Sequence, residues 1–145
     1  MNILIIEDEK PAADKLAMLL ASINKNINVI DVIQTVAESK SFLSSDKNHL
    51  DLIFMDIQLS DGSSFEIFKD VEVTTPIIFT TAYNEYALNA FKVNSIDYLL
   101  KPITKNALQA SLEKVETLKS SLNTPHKINK TEVQEIVSHM LSNQK

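Results

Sequence analysis

Four apolar runs in this sequence end in groups that can do chemistry. Ile3 to Ile6 leads into Glu7 and Asp8, and Leu52 to Met55 leads into Asp56. Ile77 to Phe79 leads into the hydroxyls of Thr80 and Thr81, and Ile96 to Leu100 into the amine of Lys101. Brought to one place, the three carboxylates repel one another near neutral pH unless a hard divalent cation joins them. Mg²⁺ suits that role, because it prefers oxygen ligands, keeps several waters and commonly pairs carboxylates with phosphate oxygens. A cation at Glu7, Asp8 and Asp56 leaves space in its shell for a phosphoryl oxygen. Asp56 can then act as a carboxylate nucleophile on phosphorus, giving an aspartyl phosphate. Phosphoryl transfer depends mainly on positioning and charge stabilisation. Lys101 offers a second cationic contact, and Thr81 a hydrogen bond.

Taken singly, each residue has a plainer reading. An acid after a strand is often a helix N-cap or a solvated loop charge. Lys101 alone reads as a surface lysine, and Thr81 alone as a strand-end hydroxyl bonded to backbone. The joint pattern is harder to set aside, and it requires elements that bring distant segments to one edge.

The apolar runs are short and continuous, as in strands buried on both faces. The spacing predicts strands at Ile3–Ile6, Val29–Ile33, Leu52–Met55, Ile77–Phe79 and Ile96–Leu100. Between them, helical spacing appears at Leu16, Leu19, Leu20 and Ile23, with Pro11 fitting the first turn. A weaker pattern covers about Thr35 to Ser45. Phe65, Ile67, Phe68 and Val71 suggest a short helix after the turn signal Asp61-Gly62, and Tyr86, Ala87, Ala90 and Phe91 a fourth. Leu108, Leu112, Val115, Leu118 and Leu122 form a longer amphipathic helix. Alternating strands and helices predict an α/β fold, a parallel sheet with helices on both faces. In such sheets ligands sit beyond the carboxyl ends of the strands, where Glu7, Asp8, Asp56, Thr80, Thr81 and Lys101 fall.

Composition removes other classes. The 145 residues are 44% apolar, enough for one core, and the net charge is −5. A nucleic-acid surface usually needs a basic balance. The absence of cysteine removes disulfides and thiolate metal sites and fits a cytoplasmic protein. A single glycine, Gly62, excludes the P-loop and the dinucleotide fingerprint. No stretch is long and apolar enough for a membrane span, and the N-terminus lacks the pattern of a signal peptide.

Over roughly Met1 to Leu122 the chain resembles the CheY-like receiver domains of two-component response regulators. The matching stretches are Ile5-Ile6-Glu7-Asp8-Glu9, Phe54-Met55-Asp56-Ile57-Gln58-Leu59, Thr80-Thr81-Ala82 and Asp97-Tyr98-Leu99-Leu100-Lys101-Pro102. The resemblance implies a doubly wound, flavodoxin-like sheet of five parallel strands in the order 2-1-3-4-5. It implies Asp56 as the phosphoacceptor, with Glu7, Asp8, Asp56 and the Gln58 backbone carbonyl holding Mg²⁺. Thr81, directly before the small Ala82, becomes the switch hydroxyl, Tyr98 the switch aromatic, and Lys101 the phosphate-contacting lysine before a cis proline. The donor is a sensor histidine kinase, and the chain is a phosphoacceptor rather than an enzyme, its own chemistry limited to Mg²⁺-dependent autophosphorylation and autodephosphorylation. Two positions depart from the family: Ser60 stands where it usually has proline, and Ser64 where it usually has glycine. The loop after the third strand is therefore expected to turn differently.

The stretches from Phe79 to Leu88 and from Ile96 to Pro102 resemble receivers of LytTR-type transcription regulators. These carry a mostly β DNA-binding domain after the receiver, to which nothing in this chain is similar. The expected division is a receiver over 1–122 and a linker with an amphipathic connector helix over 123–145. That sixth helix carries Val133, Ile136, Val137, Met140 and Leu141 on one stripe, which can pack on the receiver, pair two copies as a homodimer, or lead to the DNA-binding domain. His49, His126 and His139 fall at no predicted strand edge and read as solvated or capping. Three rivals stand beside this reading. A haloacid-dehalogenase-type phosphohydrolase needs a second aspartate where Gln58 stands, as well as a cap domain. A pseudo-receiver would lack part of the acidic, hydroxyl and lysine set. A stand-alone receiver would act by docking on another protein.

Overall fold

A computed structural model describes residues 1–45, 49–82 and 97–121, with side chains through residue 118. In chain order the elements are β1 (Asn2–Ile6), α1 (Lys10–Ile23), β2 (Asn28–Ile33), α2 (Val36–Ser44) and β3 (Leu52–Asp56). There follow β4 (Gln58–Leu59), β5 (Gly62–Ser63), α3 (Glu66–Asp70), β6 (Ile77–Thr81), β7 (Asp97–Leu100) and a last helix, here α4 (Lys105–Ser121). The predicted helix around Tyr86 to Phe91, the start of the last strand at Ile96, and the whole of 122–145 lie outside the described residues. His126, His139 and the connector stripe lie there too.

Five strands form one parallel sheet in the order β2-β1-β3-β6-β7. Counting only these long strands, that is the expected 2-1-3-4-5. The continuous apolar runs make sense because both faces are covered. Side chains alternate along a strand, so each run feeds two cores. Ile3, Ile5, Phe54 and Ile78 pack with Leu16 and Leu20 of α1 and Leu108 and Leu112 of α4. Leu4, Ile6, Met55 and Phe79 pack on the other face with Val36 of α2 and Ile67 and Phe68 of α3. Pro11 lies in the first turn of α1, as its missing N–H allows.

The weak apolar pattern of α2 is offset by its N-terminus. Thr35 is the N-cap, and its Oγ1 accepts from the Glu38 N–H at 3.1 Å. The first two N–H groups of the helix have a more distant partner. Asp61 accepts from Val36 N at 2.7 Å and from Ala37 N at 3.2 Å, one with each carboxylate oxygen. A carboxylate at a helix N-terminus also complements the helix dipole.

The loop after β3 is a two-residue hairpin, in which Gln58 pairs with Ser63 and Leu59 with Gly62 across the turn at Ser60 and Asp61. Gly62 has φ +143°, a backbone angle that side chains strongly disfavour. A Cβ there would meet nothing within 4 Å, so glycine serves the backbone angle and not close packing. Beyond the hairpin, the Phe65 ring sits 5.4 Å from that of Phe79 and 6.4 Å from that of Phe68, anchoring the segment on the sheet. Among the described residues no helix is long and apolar enough to cross a membrane.

Candidate functional site

Parallel strands carry all their carboxyl ends to one edge, and that edge gathers Glu7, Asp8, Asp56 and Lys101. β1 ends just before Glu7, β3 ends on Asp56, and β7 ends just before Lys101. Strand register sets the levels: Ile6 pairs with Met55, Asp56 with Thr80, and Thr81 with Leu100. A carboxylate oxygen from each of Glu7, Asp8 and Asp56 lies within 4.8 Å of the others. Lys101 closes the group. Its Nζ is 2.5 Å from Glu7 Oε1 and 2.9 Å from Asp56 Oδ2.

The two acids of the Glu7-Asp8 pair are not equivalent. Glu7 is 4% exposed and Asp56 6%, whereas Asp8 is only half-buried. Glu7 Oε2 also accepts from the Glu9 N–H at 3.2 Å. Burial pushes the Glu7 carboxyl above its ordinary range; Lys101 opposes this, and the neighbouring Asp56 carboxylate adds to it. Asp8 is raised too, by burial first and by Glu7 second. Burial works against the Lys101 ammonium, yet Glu7 and Asp56 outweigh it and hold its pKa above the usual lysine value. One ammonium therefore serves two buried carboxylates, and the group keeps an excess of negative charge.

Asp56 is also held by backbone. The Gln58 N–H donates to Asp56 Oδ1 at 3.4 Å, and the Ile57 N–H donates to the Thr80 carbonyl at 3.1 Å. The Gln58 side chain is exposed while its backbone runs in β4 beside the acid. Thr81 is buried at the end of β6, its carbonyl accepting from the Lys101 N–H at 2.9 Å, and Ala82 beyond it is exposed. Tyr98 is half-buried against the core on the Phe79 face. The Lys101–Pro102 bond is cis, as expected. A cavity of about 310 Å³ opens beside Lys101 toward α1, floored by Ile5, Leu16 and Phe54.

The pattern matches a known family. A profile described as the response regulator receiver domain matches residues 3–113. The chain belongs to the response regulator receiver domain family. The receiver is 36% identical over 137 residues to the sensory transduction protein LytT of Bacillus cereus, covering 92% of this chain and 54% of that protein. It is 34% identical to the sensory transduction protein LytR of Streptococcus mutans, covering 81% and 49%. The chain thus spans about half the length of these curated relatives. Among solved structures, a two-component response regulator from Clostridium difficile aligns with a TM-score of 0.68 at 33% identity, covering 83% of this chain and 99% of that one. Receiver domains in general are phosphoacceptors rather than enzymes, take their phosphoryl group from sensor histidine kinases, and bind Mg²⁺ at an acidic site.

Two features of this receiver escape a reading of the sequence. Asp61 looks like half of a turn signal, and nothing local points to Val36 and Ala37, 25 and 24 residues upstream. Ser64 is fully buried, and its Oγ has no hydrogen-bond partner among the described residues. Its place where the family usually has glycine was the available signal.

Proposed function

We propose that Asp56 of this receiver accepts a phosphoryl group from a sensor histidine kinase and that the change drives a transcriptional output. The observation that carries this is the Lys101 ammonium, set 2.5 Å from Glu7 and 2.9 Å from Asp56, beside three carboxylates within 4.8 Å of one another. A purely structural ion pair needs one acid for one lysine. The additional carboxylates cost stability unless a cation joins them.

The donor set fits Mg²⁺, being hard oxygen atoms from Glu7, Asp8 and Asp56, with the Gln58 carbonyl on the adjoining strand. Bound there, the ion supplies positive charge against the carboxylates and the incoming phosphoryl oxygens. The chain does the rest by positioning. Asp56 forms the new O–P bond with a carboxylate oxygen, while the P–N bond to the donor imidazole breaks and its electron pair returns to the ring nitrogen. Lys101 moves its ammonium from the free carboxylate to the phosphoryl oxygens. The Gln58 N–H at 3.4 Å keeps the Asp56 carboxylate turned as it is.

Thr81, Ala82 and Tyr98 serve as the switch. Alternation along β6 puts Thr81 on the same side as Phe79, and Phe79 pairs in register with Tyr98. A hydroxyl that moves toward a phosphoryl group at Asp56 leaves space on the face where Tyr98 packs. Phosphorylation adds charge and strong acceptors that bias such a two-state element.

The likeness to LytT and LytR supports a receiver over 1–122, a connector over 123–145 and a LytTR-type DNA-binding domain beyond it, in a cytoplasmic regulator. DNA is met through that domain alone. One experiment tests the core of the reading. The chain is incubated with Mg²⁺ and acetyl phosphate and weighed intact. A single added phosphoryl that Asp56→Ala abolishes is expected; a wild-type chain that gains no mass under these conditions supports a pseudo-receiver that docks without phosphate.

A further inference from the structure

We infer that Asp61 is a positioning residue for the metal and phosphoryl site, acting through the β4–β5 hairpin whose tip it fastens to α2. The inference rests on the reading of Asp56 and Gln58 given above.

The hairpin joins two places. At its root, Ile57 N–H donates to the Thr80 carbonyl at 3.1 Å and Ser64 N–H to the Ile57 carbonyl at 2.9 Å. Gln58 leaves this root directly, one residue after Ile57. At its tip, both Asp61 carboxylate oxygens accept backbone N–H groups of α2, at 2.7 and 3.2 Å. Between root and tip the paired strands are only two residues each. A hairpin so short has little stability of its own. The pose of the Gln58 carbonyl is therefore set by what holds the two ends.

The tip has few other anchors. Ser60 and Asp61 are exposed, and Gly62 carries no side chain to pack. Leu59 is buried with Ile57 and Val36 in one core, so the hairpin and the first residue of α2 also share apolar contact. Midway along α2, Lys40 pairs with Asp70 at the end of α3, at 2.6 Å. The acid is a lever, then: it joins the segment carrying a site carbonyl to the start of a helix that packs on the core through Val36. Groups that orient metal ligands typically affect metal affinity by 10–100-fold, and a backbone carbonyl has no side chain through which to be oriented otherwise. By linkage the coupling is reciprocal. An ion held at the Gln58 carbonyl must strengthen the Asp61 bonds to Val36 and Ala37.

The test compares Asp61→Ala and Asp61→Asn with Thr35→Ala in the full chain. Thr35→Ala removes the other cap of the same helix and leaves the hairpin tip attached. Mg²⁺ affinity is read by calorimetric titration, and amide exchange of Val36 and Ala37 by NMR with and without Mg²⁺. The expected result is roughly tenfold weaker Mg²⁺ binding in Asp61→Ala. Partial recovery is expected in Asp61→Asn, which keeps one acceptor, and unchanged binding in Thr35→Ala despite its lower melting temperature. In the wild type, saturating Mg²⁺ slows exchange at Val36 and Ala37. Equal Mg²⁺ affinity in the wild type and Asp61→Ala overturns the inference alone, as does an equal loss in Thr35→Ala. Should Asp61→Ala not fold, wild-type exchange that ignores Mg²⁺ overturns it just as well. A wild type that binds no Mg²⁺ overturns the reading of the site itself.

Discussion

Lys101 and Asp56 are 45 residues apart in sequence, and their Nζ and Oδ2 atoms are 2.9 Å apart. The same ammonium reaches Glu7 at 2.5 Å. Replacing it strands two buried carboxylates against each other. Lys101→Met is expected to cost about 2 kcal/mol of folding stability at neutral pH in chelator, the range for a buried polar group left without its partner. Saturating Mg²⁺ should restore much of that loss. Urea unfolding with and without Mg²⁺ measures both, and a variant as stable as wild type in chelator would count against the shared ammonium.

Glu7 and Asp8 both have folded-state pKa values raised above the ordinary carboxylate range, chiefly by burial. In the window just above the ordinary values the folded chain binds more protons than the unfolded one. Stability therefore falls as pH rises through that window. A divalent cation favours the deprotonated form and removes the deficit. The urea midpoints in Mg²⁺ and in chelator should separate progressively as pH rises above the ordinary carboxylate range. A separation that does not change with pH would show that these two acids do not couple to the metal.

Asp61 behaves in the opposite sense. Hydrogen bonds from Val36 N–H first, and Ala37 N–H after it, hold its carboxyl below the ordinary range. Its contribution is complete above the ordinary carboxylate value and is lost as pH falls through the lower folded value. Asp61→Asn should therefore be less stable than wild type near neutrality, and the gap should close in acid. A constant gap down to the acid limb would assign the loss to packing rather than to charge.

Ser64 Oγ is fully buried without a partner among the described residues. Ser64→Ala removes the unmatched hydroxyl and keeps the Cβ. The expected gain is about 1 kcal/mol, at the low end of the penalty for an unsatisfied buried group. The midpoint of urea unfolding should rise without a change in slope; a fall would mean that the hydroxyl is bonded in solution.

The chemistry and its location were legible in the sequence for a definite reason. Strands buried on both faces leave continuous apolar runs, and a parallel sheet carries all their carboxyl ends to one edge. Reading which residue follows each run therefore names Glu7, Asp8, Asp56, Thr80, Thr81 and Lys101 together, and all five strands fall where the runs predict. Even α2, with a weak apolar pattern, is found between Thr35 and Ser45 because a threonine caps it.

Contacts between distant residues left no such trace. That Glu7 rather than Asp8 faces Lys101 depends on how the chain leaves β1, and two adjacent acids look alike in sequence. That Asp61 caps α2 depends on a hairpin tip meeting a helix end 24 and 25 residues away. Periodicity reports only whether a position faces core or solvent, and local propensity reports only the nearest turn. Which donor meets which acceptor is decided when the sheet closes and the loops at its edge compete for the same few groups.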